Sequence, residues 1–188
     1  MNTKSKSVLI LAVAFSAASF TNIMKKEIKT SESKIEWTGK KVLGKHNGTI
    51  DFKEGHLEFD GETLVGGEFV VDMTTIAVTD LEGESKGQLE GHLNSDDFFG
   101  IANYKTATLK ITNAEKTAAG YSVVADLTIK EETHPVEFDL AIDGDTATTS
   151  FQVNRTKYGV RYGSGSFFDN LGDNTISDNF TLDVTLKF

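Results

Sequence analysis

The chain has 188 residues and no cysteine, and it carries 28 Asp and Glu against 19 Lys and Arg, for a formal net charge of −9. That length suits one domain that buries roughly 70% of the surface its unfolded chain would expose, and so acidic a balance argues against nucleic acid as a partner. Without cysteine there is no disulfide staple, no thiol nucleophile and no lipid-modified cysteine to tether an exported chain.

At the N-terminus, Lys4 and Lys6 precede an apolar run from Val8 to Phe20 that contains the small residues Ala14, Ser16, Ala17, Ala18 and Ser19. A basic start and a short apolar stretch predict a cleavable signal peptide over residues 1–20. A transmembrane helix would need about 20 apolar residues. The expected destination is therefore periplasmic or secreted. Residues 21–33 are polar, lysine-rich and aperiodic, and read as a flexible lead-in to a domain over 34–188.

Strand-like pieces follow at Lys34–Gly39, Gly48–Phe52, His56–Phe59 and Glu68–Ile76, with glycine-bearing turns expected at Lys53-Glu-Gly55 and Leu64-Val-Gly-Gly67. Between Asp80 and Gly100 the period lengthens, with Leu89 and Leu93 four apart. Asn94-Ser95-Asp96-Asp97 carries a helix N-terminus signal, so one or two short helices are expected there, packing Leu89, Leu93, Phe98 and Phe99 against one end of the sheet. Further strands are predicted over Lys105–Thr112, Tyr121–Lys130, Pro135–Ile142 and Thr148–Asn154. Gly159–Gly165 and the polar stretch after it form a long loop, the candidate lid or mouth. Phe180-Thr-Leu-Asp-Val-Thr-Leu-Lys-Phe188 then alternates apolar and polar residues throughout, as a strand with one wet face does.

Short strands joined by short turns make antiparallel neighbours, so the class is all-β. Closing the sheet into a barrel removes its edges, and about eight strands make an interior just wide enough for packed side chains or one small ligand. A two-sheet sandwich shows the same periodicity. The inward positions are rich in phenylalanine: Trp37, Phe52, Phe59, Phe69, Met73, Leu109, Tyr121, Leu127, Phe138, Phe151, Phe180 and Leu182 are the candidate lining of a core or a cavity.

Several segments in order carry a family resemblance: Trp37-Thr-Gly-Lys-Lys41 with Gly44-Lys-His46 and Gly48, Gly67-Glu-Phe-Val-Val-Asp-Met-Thr-Thr-Ile76, His92-Leu-Asn-Ser-Asp-Asp-Phe-Phe99, Asp126-Leu-Thr-Ile-Lys130 and Asn154-Arg-Thr-Lys-Tyr-Gly159. Over Lys34 to Phe188 the chain resembles the YceI-like lipid-binding family. The resemblance implies an antiparallel, eight-stranded, lipocalin-like barrel whose apolar cavity takes up a polyisoprenoid or other long-chain lipid, with no catalytic centre, no cofactor and sometimes a homodimer. One departure is Glu131-Glu132, where the family pattern suggests a glycine-containing turn.

Other chemistry is weakly represented. His46, His56, His92 and His134 lack metal-ligand spacing. Gly163-Ser-Gly-Ser166 lacks the spacing and strand-to-helix context of a nucleophile elbow. Arg155 is expected to brace a turn through backbone carbonyls, with contact to a lipid head group as its alternative role. His92 is the other candidate at the mouth. The sequence thus points to a secreted carrier that does no chemistry. An enzyme of lipid or isoprenoid metabolism and an interaction module with a filled core are the alternatives.

Overall fold

The computed structural model describes residues 22–188, so the expected signal segment lies outside the described residues. The described residues form nine strands: β1 (Ile23–Glu27), β2 (Lys34–Lys41), β3 (Gly44–Asp60), β4 (Thr63–Val78), β5 (Thr106–Lys116), β6 (Tyr121–Ile129), β7 (Glu132–Asp143), β8 (Thr146–Asn154) and β9 (Ile176–Lys187). Hydrogen bonding runs β3-β2-β9-β8-β7-β6-β5-β4, and β4 returns to β3, which closes an antiparallel eight-stranded barrel. Every apolar residue of β6 that alternates inward, from Tyr121 to Ile129, is buried. This is the period-two pattern of a wall with a dry inner face.

β1 corrects the expected flexible lead-in. Its five residues pair with β3 from Ile23↔Asp60 to Glu27↔His56. β3 is 17 residues long and β2 only eight, so β1 covers the length of β3 that β2 does not reach. After β1 the chain makes a tight excursion, in which Lys29 O accepts from Glu32 and Ser33 N–H, and β2 resumes along the same edge. The two strands are one stave of the barrel in two pieces. All of β1 is exposed, so it lacks the apolar alternation that would have marked it.

The glycines near residues 53–55 and 64–67 do not turn the chain. β3 and β4 run straight through them, with register shifts between Phe52 and Glu54 and between Glu58 and Phe59, and the reversal falls at Gly61. Gly55 is required by close approach: a Cβ there would lie 2.5 Å from the Phe69 ring.

A single helix, α1 (Gly83–Asn94), occupies the connection after β4. The predicted helix start at Asn94–Asp97 is instead its end. Ser95 N–H and Oγ both bond to His92 O, and Phe98 and Gly100 N–H turn back onto Ser95 O. Ser and Asp favour a helix start only when the following residues can continue in helical conformation, and Gly100, with φ of 56°, ends this stretch of turns. Leu93 and Phe98 pack with Trp37, Val78 and Val160, while Leu89 and Phe99 flank them.

The β6–β7 hairpin turns through Lys130 and Glu131, both in the left-handed region at φ of 51° and 66°. Two-residue hairpin loops need that conformation and normally obtain it from Gly or Asn. Here Lys130 Nζ ties the turn down by donating to Asp96 O at 3.2 Å and Phe98 O at 2.7 Å.

One seam of the barrel is short. β7 and β8 pair only at Ala141↔Thr148, Ile142↔Ala147 and Asp143↔Thr146, whereas β6–β7 pairing extends from Tyr121↔Leu140 to Ile129↔Glu132. Beyond those three rungs the gap is filled by side chains. Phe138 stacks on Phe151 at 4.7 Å, and His134 Nε2 lies 2.9 Å from Lys157 O with its ring edge-on to Tyr158.

Candidate functional site

Inward-facing residues of the barrel leave two apolar chambers that share a waist at Ile35, Val71, Ala107, Leu127 and Leu182. The inner chamber, of about 80 Å³, takes in Phe52, Leu57, Phe69, Leu109, Phe138, Phe151 and Leu186. The outer chamber, of about 140 Å³, takes in Trp37, Met73, Phe98, Phe99, Phe180 and Ile176 and reaches Gly39, Ser177 and Asn179 at the rim. Apolar cavities of about 150 Å³ stay dry and accept small aromatic molecules. The inner chamber, lined by aliphatic and aromatic side chains with only Thr108 and Thr149 among them, has that character.

Most of the candidate lining residues therefore reach a chamber: Trp37, Met73 and Phe180 the outer one, Phe52, Phe69, Leu109, Phe138 and Phe151 the inner one, Leu127 and Leu182 both. Phe59 and Tyr121 do not. Phe59 meets Phe188 at 6.1 Å between ring centroids, with Lys26 Nζ over both rings, and seals the opposite end of the barrel. Tyr121 turns its hydroxyl to the backbone there, accepting from Leu64 N–H at 3.2 Å and donating to Glu62 O at 3.3 Å. Alternation gives the face a residue points to, but not its height along the barrel axis. That is why these two inward residues plug the base and leave the cavity to others.

Ile35, Val71 and Ala107 at the waist were absent from the expected lining. Their signal was present: Val71 sits between Phe69 and Met73 on the same face of β4, and Ile35 is two residues before Trp37 on β2.

Arg155 is a brace. Buried to 3% exposure, it donates through Nε to Ser177 O, through Nη1 to Val160 O and Tyr162 O, and through Nη2 to Ile176 O, all between 2.8 and 3.1 Å. Asp178 Oδ1 stands 3.8 Å from Nη2. Four of its five N–H donors are thus taken by the loop that borders the mouth, and the side chain also lines the outer chamber. The Ser164 and Ser166 hydroxyls, with the nearby guanidinium, hold the Asp178 carboxyl below the usual aspartate range. Burial pushes the neighbouring Tyr158 phenol up to about 12.

His92 lines neither chamber. Its ring packs edge-on to Tyr162 at 4.4 Å and Phe98 at 5.0 Å, above the outer chamber. The remaining histidines are separate: His46 pairs with Asp80, His56 with Glu58, and His134 with the Lys157 carbonyl. Ser164 is fully buried, and its Oγ accepts from Ser166 N–H within the loop.

Comparison with known proteins agrees with this architecture. A UPF0312 protein of Staphylococcus epidermidis is 29% identical over 130 residues, covering 59% of this chain and 68% of its own. Another, from Staphylococcus aureus, is 38% identical over 84 residues, 39% of this chain and 47% of its own. Among solved structures, BcnA of Burkholderia cenocepacia superposes with a TM-score of 0.66 at 20% identity, over 85% of this chain and 98% of its own. A polyisoprenoid binding domain from Saccharophagus degradans superposes with a TM-score of 0.58 at 14% identity, over 88% and 97%. These likenesses are of fold. The model of the YceI-like domain matches residues 27–188, from β1 to the last residue of the barrel, and the chain belongs to that family.

Proposed function

We propose that the protein is a carrier or sequestering protein that encloses a polyisoprenoid or another long-chain lipid in its barrel, does no chemistry on it, and works in the periplasm or after secretion. The observation that carries this reading is the pair of apolar chambers joined end to end along the barrel axis. Such a cavity selects by length and girth. Each CH₂ withdrawn from water contributes about 0.8 kcal/mol, so a chain filling both chambers is held firmly without polar contacts. The polyisoprenoid binding ascribed to the Saccharophagus degradans domain supports the ligand class. Export is supported by the basic and apolar pattern of residues 1–20. The polar groups that line the outer chamber, Arg155, Ser177 and Asn179, support a ligand whose polar end lies at the rim.

Organic extraction of the purified protein followed by mass spectrometry should yield one stoichiometric lipid, and a prenyl or acyl fluorophore should compete for a single site. Leu182→Asp at the waist should abolish that uptake, and Gln152→Asp, on the exposed face of β8, should leave it unchanged. No extractable lipid together with no saturable uptake would refute the proposal.

A further inference from the structure

The β2–β3 hairpin tip, Lys40-Lys41-Val42-Leu43-Gly44-Lys45, combines features that its own fold does not use. Val42 and Leu43 are 59% and 66% exposed, the two largest exposures among the large hydrophobic residues of the described chain. Lys40 lies directly opposite Lys45 on the neighbouring strand. Like charges at facing positions destabilise a hairpin. Among the described residues, none of Lys40, Lys41 and Lys45 has an ion-pair partner, while the adjacent His46 is paired with Asp80. Lysines often guard an open sheet edge against association. β2 has no such edge, since it is flanked by β3 and β9.

The hairpin also stands at the mouth. Val42 N–H donates to Thr175 O at 3.1 Å, and Lys41 pairs with Ile176, which lines the outer chamber. The loop that follows β8 adds Tyr162, Phe167 and Phe168 to the same end, each about half exposed, with the Arg161 guanidinium 4.6 Å over the Phe167 ring.

We propose that the β2–β3 tip docks the barrel, mouth inward, on an anionic lipid bilayer, with Lys40, Lys41 and Lys45 among the head groups and Val42 and Leu43 in the acyl layer beneath them. An aliphatic tip ringed by unpaired cations matches the order of charge and hydrocarbon met on entering such a surface. The chain as a whole is acidic, with a net charge of −9, so an approach led by its acidic surface is repelled. Asp169 and Asp173 on the loop and Glu84 on α1 lie at this end too, and they tilt the contact toward the hairpin. Docking stands on the hairpin alone. That the bilayer is where cargo is taken up or released rests on the carrier reading.

Flotation of the full protein with vesicles of phosphatidylcholine, and of an equal mixture of phosphatidylcholine and phosphatidylglycerol, tests the proposal. Binding to the anionic vesicles should exceed that to the neutral ones at least about tenfold and fall at high salt, since each lysine near the surface contributes about fivefold. Lys40→Glu with Lys41→Glu, and separately Val42→Asp with Leu43→Asp, should each remove most of the binding, whereas Lys116→Glu at the far end should not. A Leu43→Trp variant should shift its emission to the blue on anionic vesicles. Absence of vesicle binding, or binding indifferent to the hairpin variants, overturns the proposal. So does a dimer, seen by sedimentation, that only Val42→Asp with Leu43→Asp dissolves, because the tip would then face a second copy. Uptake of a prenyl fluorophore in solution, unchanged in these variants, keeps the carrier reading separately testable.

Discussion

The two ends of the barrel are closed by different means. At one end the strands reverse through short turns at Gly61, Gly120 and Gly144, all with positive φ, and Phe59, Phe188 and Tyr121 fill the space between them. At the other, the connections span residues 79–105 and 155–175, and order comes largely from contacts distant in sequence: Arg155 on Ser177 O and Ile176 O, the Lys130 ammonium on Asp96 O and Phe98 O, and the packing of α1 over Trp37. Local turn chemistry makes a base that is rigid and cheap to specify. Hydrogen bonds between separate segments order the rim, and the outer chamber opens beneath it.

The sharpest test of this contrast is Arg155→Met. It strips the donors from four carbonyls and leaves Asp178 without its cation, and should cost about 3–4 kcal/mol. Urea unfolding should report the loss, and hydrogen exchange should rise through residues 155–178 while the amides near Gly61 and Gly120 keep their protection. Phe59→Ala is the counterpart at the base. It should cost roughly 3 kcal/mol by cavity formation, yet leave the affinity for a prenyl fluorophore within about twofold once folding is corrected for, since Phe59 lines neither chamber.

A smaller effect at the open end depends on pH. The folded-state pKa of Asp178 is depressed, so its contribution is present above the ordinary aspartate value of 3.8 and is lost as pH falls below it toward the folded value. Acid titration of the wild type should loosen the 155–178 loop, and Asp178→Asn should remove that part of the pH dependence. The smallest effect is at the β6–β7 turn, the open-end hairpin made without glycine. Glu131→Gly should stabilise the fold by about 0.5–1 kcal/mol, because a Cβ is disfavoured at φ of 66°. A thermal melt that does not rise would show that the Lys130 anchor has already absorbed the strain.

The barrel was legible in the sequence because its inner face is written in alternation: Tyr121 to Ile129 names its buried side directly, and Phe180 to Phe188 the side that faces the chambers. Arg155 as a brace was legible from its place after a strand and before a glycine. What escaped notice did so for physical reasons. β1 is exposed on every residue and owes its existence to the surplus length of β3. Gly55 looked like a turn residue because glycine serves turns and close approaches alike, and only the position of Phe69 decides between them. Asn94–Asp97 was read as a helix start because capping residues suit both ends of a short connection. The chamber residues were identified as inward, but Phe59 and Tyr121 show that inward is only one of the two coordinates a site needs.

The three-rung pairing of β7 with β8 bears on how a long chain could fit where only about 80 Å³ and 140 Å³ are free. Widening a cylinder elsewhere would break a ladder of backbone bonds. At this seam the stretch from His134 to Leu140 keeps its ladder to β6 but has none to β8, and what spans the gap is a ring stack and one imidazole bond to the Lys157 carbonyl. For the proposed carrier this seam is the placket of the cuff, the place where the wall has the fewest backbone bonds to break in admitting a wider cargo.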